Sequence, residues 1–277
     1  MKRGKCELCR FVRDLHDSHF LPRAGYKNAR AKGIKNPNPV VISGGRAKQS
    51  SLQVRDYKFC TECETRFNRG GESWVLSVVP TDYGQNFAIH DLLDTARGTL
   101  VRDGLLLFPA ANIPKIDLEK LVYFGMSIFW RGTLRWSPVG GGQPPKLFMN
   151  VRQENAVRRF LLGTGGLPND TVITVAVWPF KKVSPMNFVP TLDPATSYRR
   201  YWFYFSGFVF SLALGKKTPD DVRKTCAYGS KVLTLSIDIG QAAWDAIRKQ
   251  VQSVDKSAIQ ETLQEIAVIR SKMSTGE

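Results

Sequence analysis

Apolar positions along the chain change their period several times, and each period predicts a different element. From Asp117 onward, Leu118, Leu121, Val122, Met126 and Phe129 recur at steps of three and four behind Pro114. That is the spacing of one face of a helix. A second helix is predicted over about 153–162, ending near Gly163. Residues 171–178 are β-branched and apolar, which suits a strand. Residues 201–214 predict one or two strands broken near Gly207, and 232–239 another. Short apolar runs bounded by breakers at 76–80 and 104–108 also read as strands. Near the C-terminus Trp244, Ile247, Val251, Val254 and Ala258 step by three and four, and Ile259, Leu263 and Ile266 continue on a shifted face. They predict one long amphipathic helix. It would pack on its own core or form a homodimer through that helix.

The first 75 residues follow no such period. Residues 29–51 are rich in Lys, Arg, Asn, Pro, Gly and Ser and read as a long solvated basic loop, with a short strand at Val40, Val41 and Ile42. The chain therefore divides into a polar N-terminal module, 1–75, and a larger α+β domain, 76–277, of which a substrate platform, a sensor or oligomerisation would be the role. The expected fold class is α+β.

Charge sharpens this division. Forty Lys and Arg against 24 Asp and Glu give a net charge of +16, and residues 1–70 hold sixteen of the former and six of the latter. A charge spread for solubility alone would not gather in one quarter of the chain. Such a surface attracts polyanions, and nucleic acid is the favoured partner, with DNA ahead of RNA. The apolar run at 201–214 is shorter than the ~20 residues a membrane helix needs, so no membrane partner is expected. Without an apolar leader behind the basic start, the expected location is the cytoplasm.

Four of the five Cys stand in two pairs, Cys6 with Cys9 and Cys60 with Cys63. Two residues between Cys let one tight turn present both sulfurs to one ion, and two such turns complete the tetrahedron that Zn²⁺ prefers. All four positions would be filled by protein, so this zinc would be structural rather than catalytic. Cys226 stands alone and reads as an inert buried thiol.

The residues just after each pair are more specific. The first pair leads to Asp17-Ser18-His19-Phe20-Leu21-Pro22. The second runs directly into a short helix, with Glu64 and Asn68 one turn apart, that the Gly70-Gly71 pair is expected to stop. This arrangement resembles the HNH endonuclease family, built on a ββα-metal finger, and within it a bacterial subgroup with a Ser-His-apolar-apolar-Pro signature and a Cys-x-x-Cys-Glu helix. The likeness covers about residues 6–70 and extends to the Ser-Ile-Phe-Trp-Arg stretch of 123–131.

The resemblance implies a metal-dependent endonuclease that hydrolyses phosphodiester bonds. His19 would be the general base, and Mg²⁺ or Mn²⁺ would be held by Asp17 or Ser18 with Glu64 and Asn68. Two positions depart from the family pattern. Ser18 stands where Asp, Glu or His is usual, and Glu64 where Asn or His is usual. A zinc-stabilised nucleic-acid-binding protein without catalysis is therefore the alternative. A third reading places the function in the C-terminal domain, with the finger docking it. His16 faces solvent or serves as a ligand, and His90 is expected to be structural. Arg23, Lys27, Arg30, Lys32 and Lys35 lie just beyond the His segment and are the candidate phosphate contacts.

Overall fold

The computed structural model describes residues 2–30, 34–43, 45–82, 85–102, 104–137, 146–183 and 185–275. The chain begins with Lys2–Lys5 (β1) and Val12–His19 (β2), then Arg23–Asn28 (α1). A two-stranded arm of Val40–Ser43 (β3) and Arg46–Gln49 (β4) comes next. Arg55–Cys60 (β5) returns to pair antiparallel with β2, which also pairs with β1. The basic stretch expected as a loop thus contains a hairpin. Its Ala47 is buried because the backbone of Gly45 and Ala47 bonds Asp255 near the far end of the chain.

Directly after β5 come Thr61–Phe67 (α2), a π-helical turn over Asn68–Glu72, and Ser73–Val78 (α3). Here two expectations are overturned together. The Gly pair does not stop the helix, and residues 76–78 are helical rather than strand. The glycines serve closeness instead. A Cβ on Gly71 would meet the backbone oxygen of Lys120 at 2.5 Å and Phe124 Cβ at 2.9 Å. The helix therefore continues so that it can lie directly on its neighbour. Val75 and Val79, four residues apart, are both buried. Tertiary packing has selected the helical period from an apolar run that is equally compatible with a strand.

Ile89–Leu93 (α4), Thr99–Arg102 (β6) and Leu105–Pro109 (β7) lead to that neighbour, Leu118–Arg131 (α5). Asp117 caps α5 by accepting from Lys120 N at 3.0 Å. Val151–Leu161 (α6) begins with a capping box between Asn150 and Gln153. Then come Thr171–Val177 (β8), Thr191–Leu192 (β9), Arg199–Phe205 (β10), Phe208–Leu214 (β11), Asp220–Lys224 (α7) and Val232–Ser236 (β12). These strands form a seven-stranded sheet in the order β6-β7-β12-β8-β11-β10-β9, and β12 with β8 is its parallel pair. All seven residues of β8 are buried, which accounts for its unbroken apolar run. On one face, Gly125 of α5 brings that helix against Phe210 and Ile173.

The C-terminal segment is two helices, Ile237–Gln252 (α8) and Gln260–Thr275 (α9), rather than one. Asp255 breaks the run. Its carboxylate accepts from Ser257 N at 2.9 Å and Ser257 Oγ at 3.1 Å, and its backbone bridges to the β3–β4 arm. Thr262 Oγ1 donates to Gln49 Oε1 at 2.7 Å, so α9 also docks on that arm. Ile247 and Ile259 are buried within the chain.

One buried cluster runs from Cys6, Leu8 and Phe59 through Phe67, Phe124 and Trp130 to Phe203, Phe210 and Leu233. The fold is mixed α+β, and α5 stands between the N-terminal sheet and the seven-stranded sheet. Gly71→Ala should destabilise the protein by about 1–3 kcal/mol, the usual cost of overpacking, as measured by urea unfolding. A Gly71→Ala protein as stable as the parent would show that the contact with α5 is not tight.

Candidate metal centre and histidine site

Cys6 and Cys9 lie on the turn between β1 and β2. That turn is closed by Cys6 N donating to Phe11 O and Arg10 N donating to Cys6 O, both at 2.9 Å, with Arg10 in the left-handed region at φ 67°. Cys60 ends β5 and Cys63 lies in the first turn of α2. Their four sulfurs lie within 4.8 Å of one another, and Cys9 Sγ is 3.9 Å from Cys60 Sγ. Four sulfurs each ~2.3 Å from one zinc ion would be about 3.8 Å apart. Among the described residues this is the one group of three or more His, Cys, Asp or Glu side chains close enough to share an ion. The quartet can hold a metal ion such as zinc.

The thiols also show why they would want a cation. A hydrogen bond from Cys63 pulls the Cys6 thiol down to about 4. Burial pushes Cys60 up to about 12, and the bond to Cys6 with burial pushes Cys63 up as well. One thiolate is thus supported by its protonated neighbours, and further ionisation in this small space is opposed. A divalent ion removes that opposition. The hairpin is braced from outside by Arg158, whose Nη1 donates to Leu8 O at 3.0 Å, and by the exposed pair of Arg13 with Glu62.

His19 ends β2, opposite Arg55 in the register, half-buried, with its ring 6.4 Å from Tyr26. Burial lowers its pKa; Asp17 opposes that shift, and Arg23, Arg55 and Arg131 reinforce it. The imidazole is therefore held toward its neutral form. Tyr26 in turn lines a cavity of about 140 Å³ with Arg23, Lys27, Arg30, Asn38 and Gln53, and His19 is not among its lining residues. Three of the predicted phosphate contacts thus share one place. Lys35 lies elsewhere, against α9, with its Nζ 3.4 Å from Glu261 and its backbone N donating to Glu265. Lys32 falls outside the described residues.

The oxygen donors nominated for a second metal are not gathered in this way. Alternation along β2, with a bulge between His16 and Asp17, separates Asp17 from Ser18. Asp17 turns outward and pairs with Arg55 at 3.0 Å. Ser18 turns inward, donates to His16 O at 3.3 Å and accepts from Phe59 N at 3.2 Å. Asn68 is exposed, and its Oδ1 accepts from Ser73 Oγ at 2.7 Å. Glu64 is largely buried near Ser18. Burial raises its pKa, against the opposing pull of Arg131 and Ser18, and its Oε1 makes no hydrogen bond among the described residues. That oxygen is a single candidate donor, and Asp17 and Asn68 do not join it. His16 Nε2 lies 2.8 Å from Thr61 Oγ1, and His90 Nε2 lies 2.8 Å from Trp178 O, a structural contact.

Two residues to which the motifs gave no role, Glu72 and the Arg131 that closes the Ser-Ile-Phe-Trp-Arg stretch, complete the interior. Arg131, 2% exposed, has its Nη2 2.6 Å from Glu72 Oε1 and stacks over the Phe67 ring at 4.3 Å. Breaking such a buried pair typically costs ~3–5 kcal/mol. Their signal in the sequence is a charge set among apolar helical neighbours: Arg131 closes the run Ile128, Phe129 and Trp130.

Two measurements check this site. Stripping metal with a strong chelator, or Cys9→Ser, should lower the melting temperature by on the order of 10 °C; a melt indifferent to both would argue against a bound ion. The His19 imidazole should titrate, by NMR, with a midpoint below the ordinary ~6.5. Since protonation is disfavoured in the folded state, His19 costs stability as pH falls from that value toward the folded midpoint. A midpoint at or above 6.5 would contradict the burial described here. Comparisons of the chain with protein-family models, with curated proteins and with solved structures find no match.

Proposed function

We propose that this chain is an HNH-like, metal-dependent endonuclease with a zinc-stabilised ββα finger, acting on nucleic acid with His19 as general base. One observation carries the reading: a half-buried imidazole, held toward its neutral form, has its ring 6.4 Å from Tyr26, which lines a cavity together with Arg23, Lys27 and Arg30. The succession β2, β5, α2, with the Cys quartet joining the β1–β2 turn to the β5–α2 junction, supports the resemblance on which the role of His19 rests.

Each group has its own part in the chemistry. The cationic cavity draws in the phosphate backbone and orients it. Neutral His19 takes a proton from the water that attacks phosphorus. Glu64 is the residue that would hold Mg²⁺ or Mn²⁺, since such ions need one or two carboxylates beside water and substrate phosphate. When bound, the ion would stabilise charge on the phosphoryl and leaving oxygens. The substrate reading is nucleic acid, with DNA to be tried ahead of RNA; phosphate charge, the same in both, does not choose between them. No described helix is long and apolar enough to cross a membrane. Trp244, Leu263 and Val268 stay exposed on α8 and α9, the surface through which a homodimer would form.

A second reading, binding without hydrolysis, is favoured by one specific feature. The Arg131 cation already acts on Glu64 and pairs with Glu72, where a divalent ion would have to compete with it.

Nicking of supercoiled plasmid in Mg²⁺ or Mn²⁺ separates the two readings. The parent protein should cleave, and His19→Ala should be slower by ~10²-fold or more at unchanged binding. Plasmid and RNA left intact by the parent in either metal, with binding retained, would leave the second reading. Equal cleavage by His19→Ala would remove the base from His19.

A further inference from the structure

We propose that Arg131, the last residue of α5, is a positioning residue for His19, so that the imidazole is set in place from outside the finger. The inference rests on His19 being the reacting base and adds how that base is held.

The two residues lie 112 apart in the chain. Arg131 Nη1 donates to Phe20 O at 3.1 Å and more weakly to His19 O at 3.5 Å, while Nη2 donates to Glu72 Oε1 at 2.6 Å. The carbonyls it takes are those at the point where β2 stops pairing. His19 is the last residue in register with β5, and Phe20 N then donates to Val54 O at 2.9 Å. Past that point the β2–β5 ladder no longer supplies donors, and the guanidinium supplies them. Holding the His19 carbonyl restrains the 19–20 peptide plane, one of the two that set the direction of the His19 Cα–Cβ bond, and the stronger bond to the Phe20 carbonyl anchors the next plane behind it.

The alternative is that Arg131 merely fills space. Its surroundings speak against this. Phe59, Phe67 and Trp130 make a closed aromatic box that an uncharged side chain would fill without a buried charge. What a planar fork does, and a hydrocarbon or an ammonium does not, is bond a carboxylate with one nitrogen while holding successive carbonyls with the other. The carboxylate it grips, Glu72, belongs to the π-helical turn that α2 feeds into. One side chain therefore ties the end of the His strand to the far end of the finger's helix, and both to α5.

The test uses the full chain with Arg131→Lys, and Ser127→Ala as a control for general damage. Ser127 lies one turn earlier on α5, is equally buried and bonds Phe124 O. Two readouts are taken: kcat and KM for plasmid nicking, and the ring resonances of His16, His19 and His90. Arg131→Lys should keep KM within about threefold and lose at least about tenfold in kcat, the pattern of a misplaced reacting group. The His19 ring signals should move while those of His16 and His90 stay, and Ser127→Ala should change neither readout. Full kcat with unmoved His19 signals would overturn the proposal, as would equal shifts at all three histidines. If the parent does not cleave, the reading of His19 as base fails, and the ring signals alone decide whether Arg131 positions it. If Arg131→Lys does not fold, Glu72→Gln, which weakens one grip of the fork without emptying the box, carries the same expectations and the same refutation.

Discussion

Four sulfurs from two distant turns meet in a space small enough for one ion, and the N-terminal architecture depends on that meeting. The Cys pairs of the β1–β2 turn and the β5–α2 junction are separated by fifty residues of polar, basic chain. Closing a loop that long costs conformational entropy, and the small N-terminal sheet buries few side chains of its own to offset it. A tetrahedral ion held by the quartet would supply the missing free energy at one point. With the thiols joined, the pairing of β2 with β5 and the packing of α2 on both can form. His19 then ends β2 with its ring 6.4 Å from Tyr26, which lines the cationic cavity.

The ion alone would not define the site, because the N-terminal module is not an independent body. Its aromatic side chains, Phe59 and Phe67, pack with Trp130 of α5 in the same cluster that continues to Phe203 and Phe210 of the large sheet. Two chemical devices make that junction. The glycine pair lets the helix after the second cysteine turn approach α5 to backbone distance, and the buried guanidinium of Arg131 satisfies polar groups that the closeness would otherwise strand. The C-terminal helices add a third tie, through Asp255, Thr262 and Glu261, to the basic arm that flanks the cavity. Residues that would meet a phosphate are thereby carried on chain segments that the rest of the protein holds.

Much of this is legible in the sequence wherever one local rule decides the outcome. The cysteine spacing, the helix start behind Pro114, the β-branched run of β8 and the break at Gly207 each have a short-range cause. The departures share a different cause. Residues 76–78 and the glycine pair escape a local reading because contact with α5, nearly fifty residues later, selects helix over strand and makes glycine a spacer rather than a stop. The single long C-terminal helix expected from the apolar period fails because Asp255 exchanges helical hydrogen bonds for bonds to Gly45 and Ala47. Arg23, Lys27 and Arg30, grouped in the sequence by charge and nearness, line one cavity, whereas Lys35, grouped with them, is drawn to Glu261. Arg131 and Glu72 lie outside the finger motif, and only the folded chain shows that they meet.

The central claim is that the four thiolates share one zinc ion, and X-ray absorption at the zinc edge of the purified protein tests it most directly. The expected result is a single shell of four sulfurs at ~2.3 Å. A shell of mixed nitrogen or oxygen ligands, or fewer than four sulfurs per bound zinc, would contradict it.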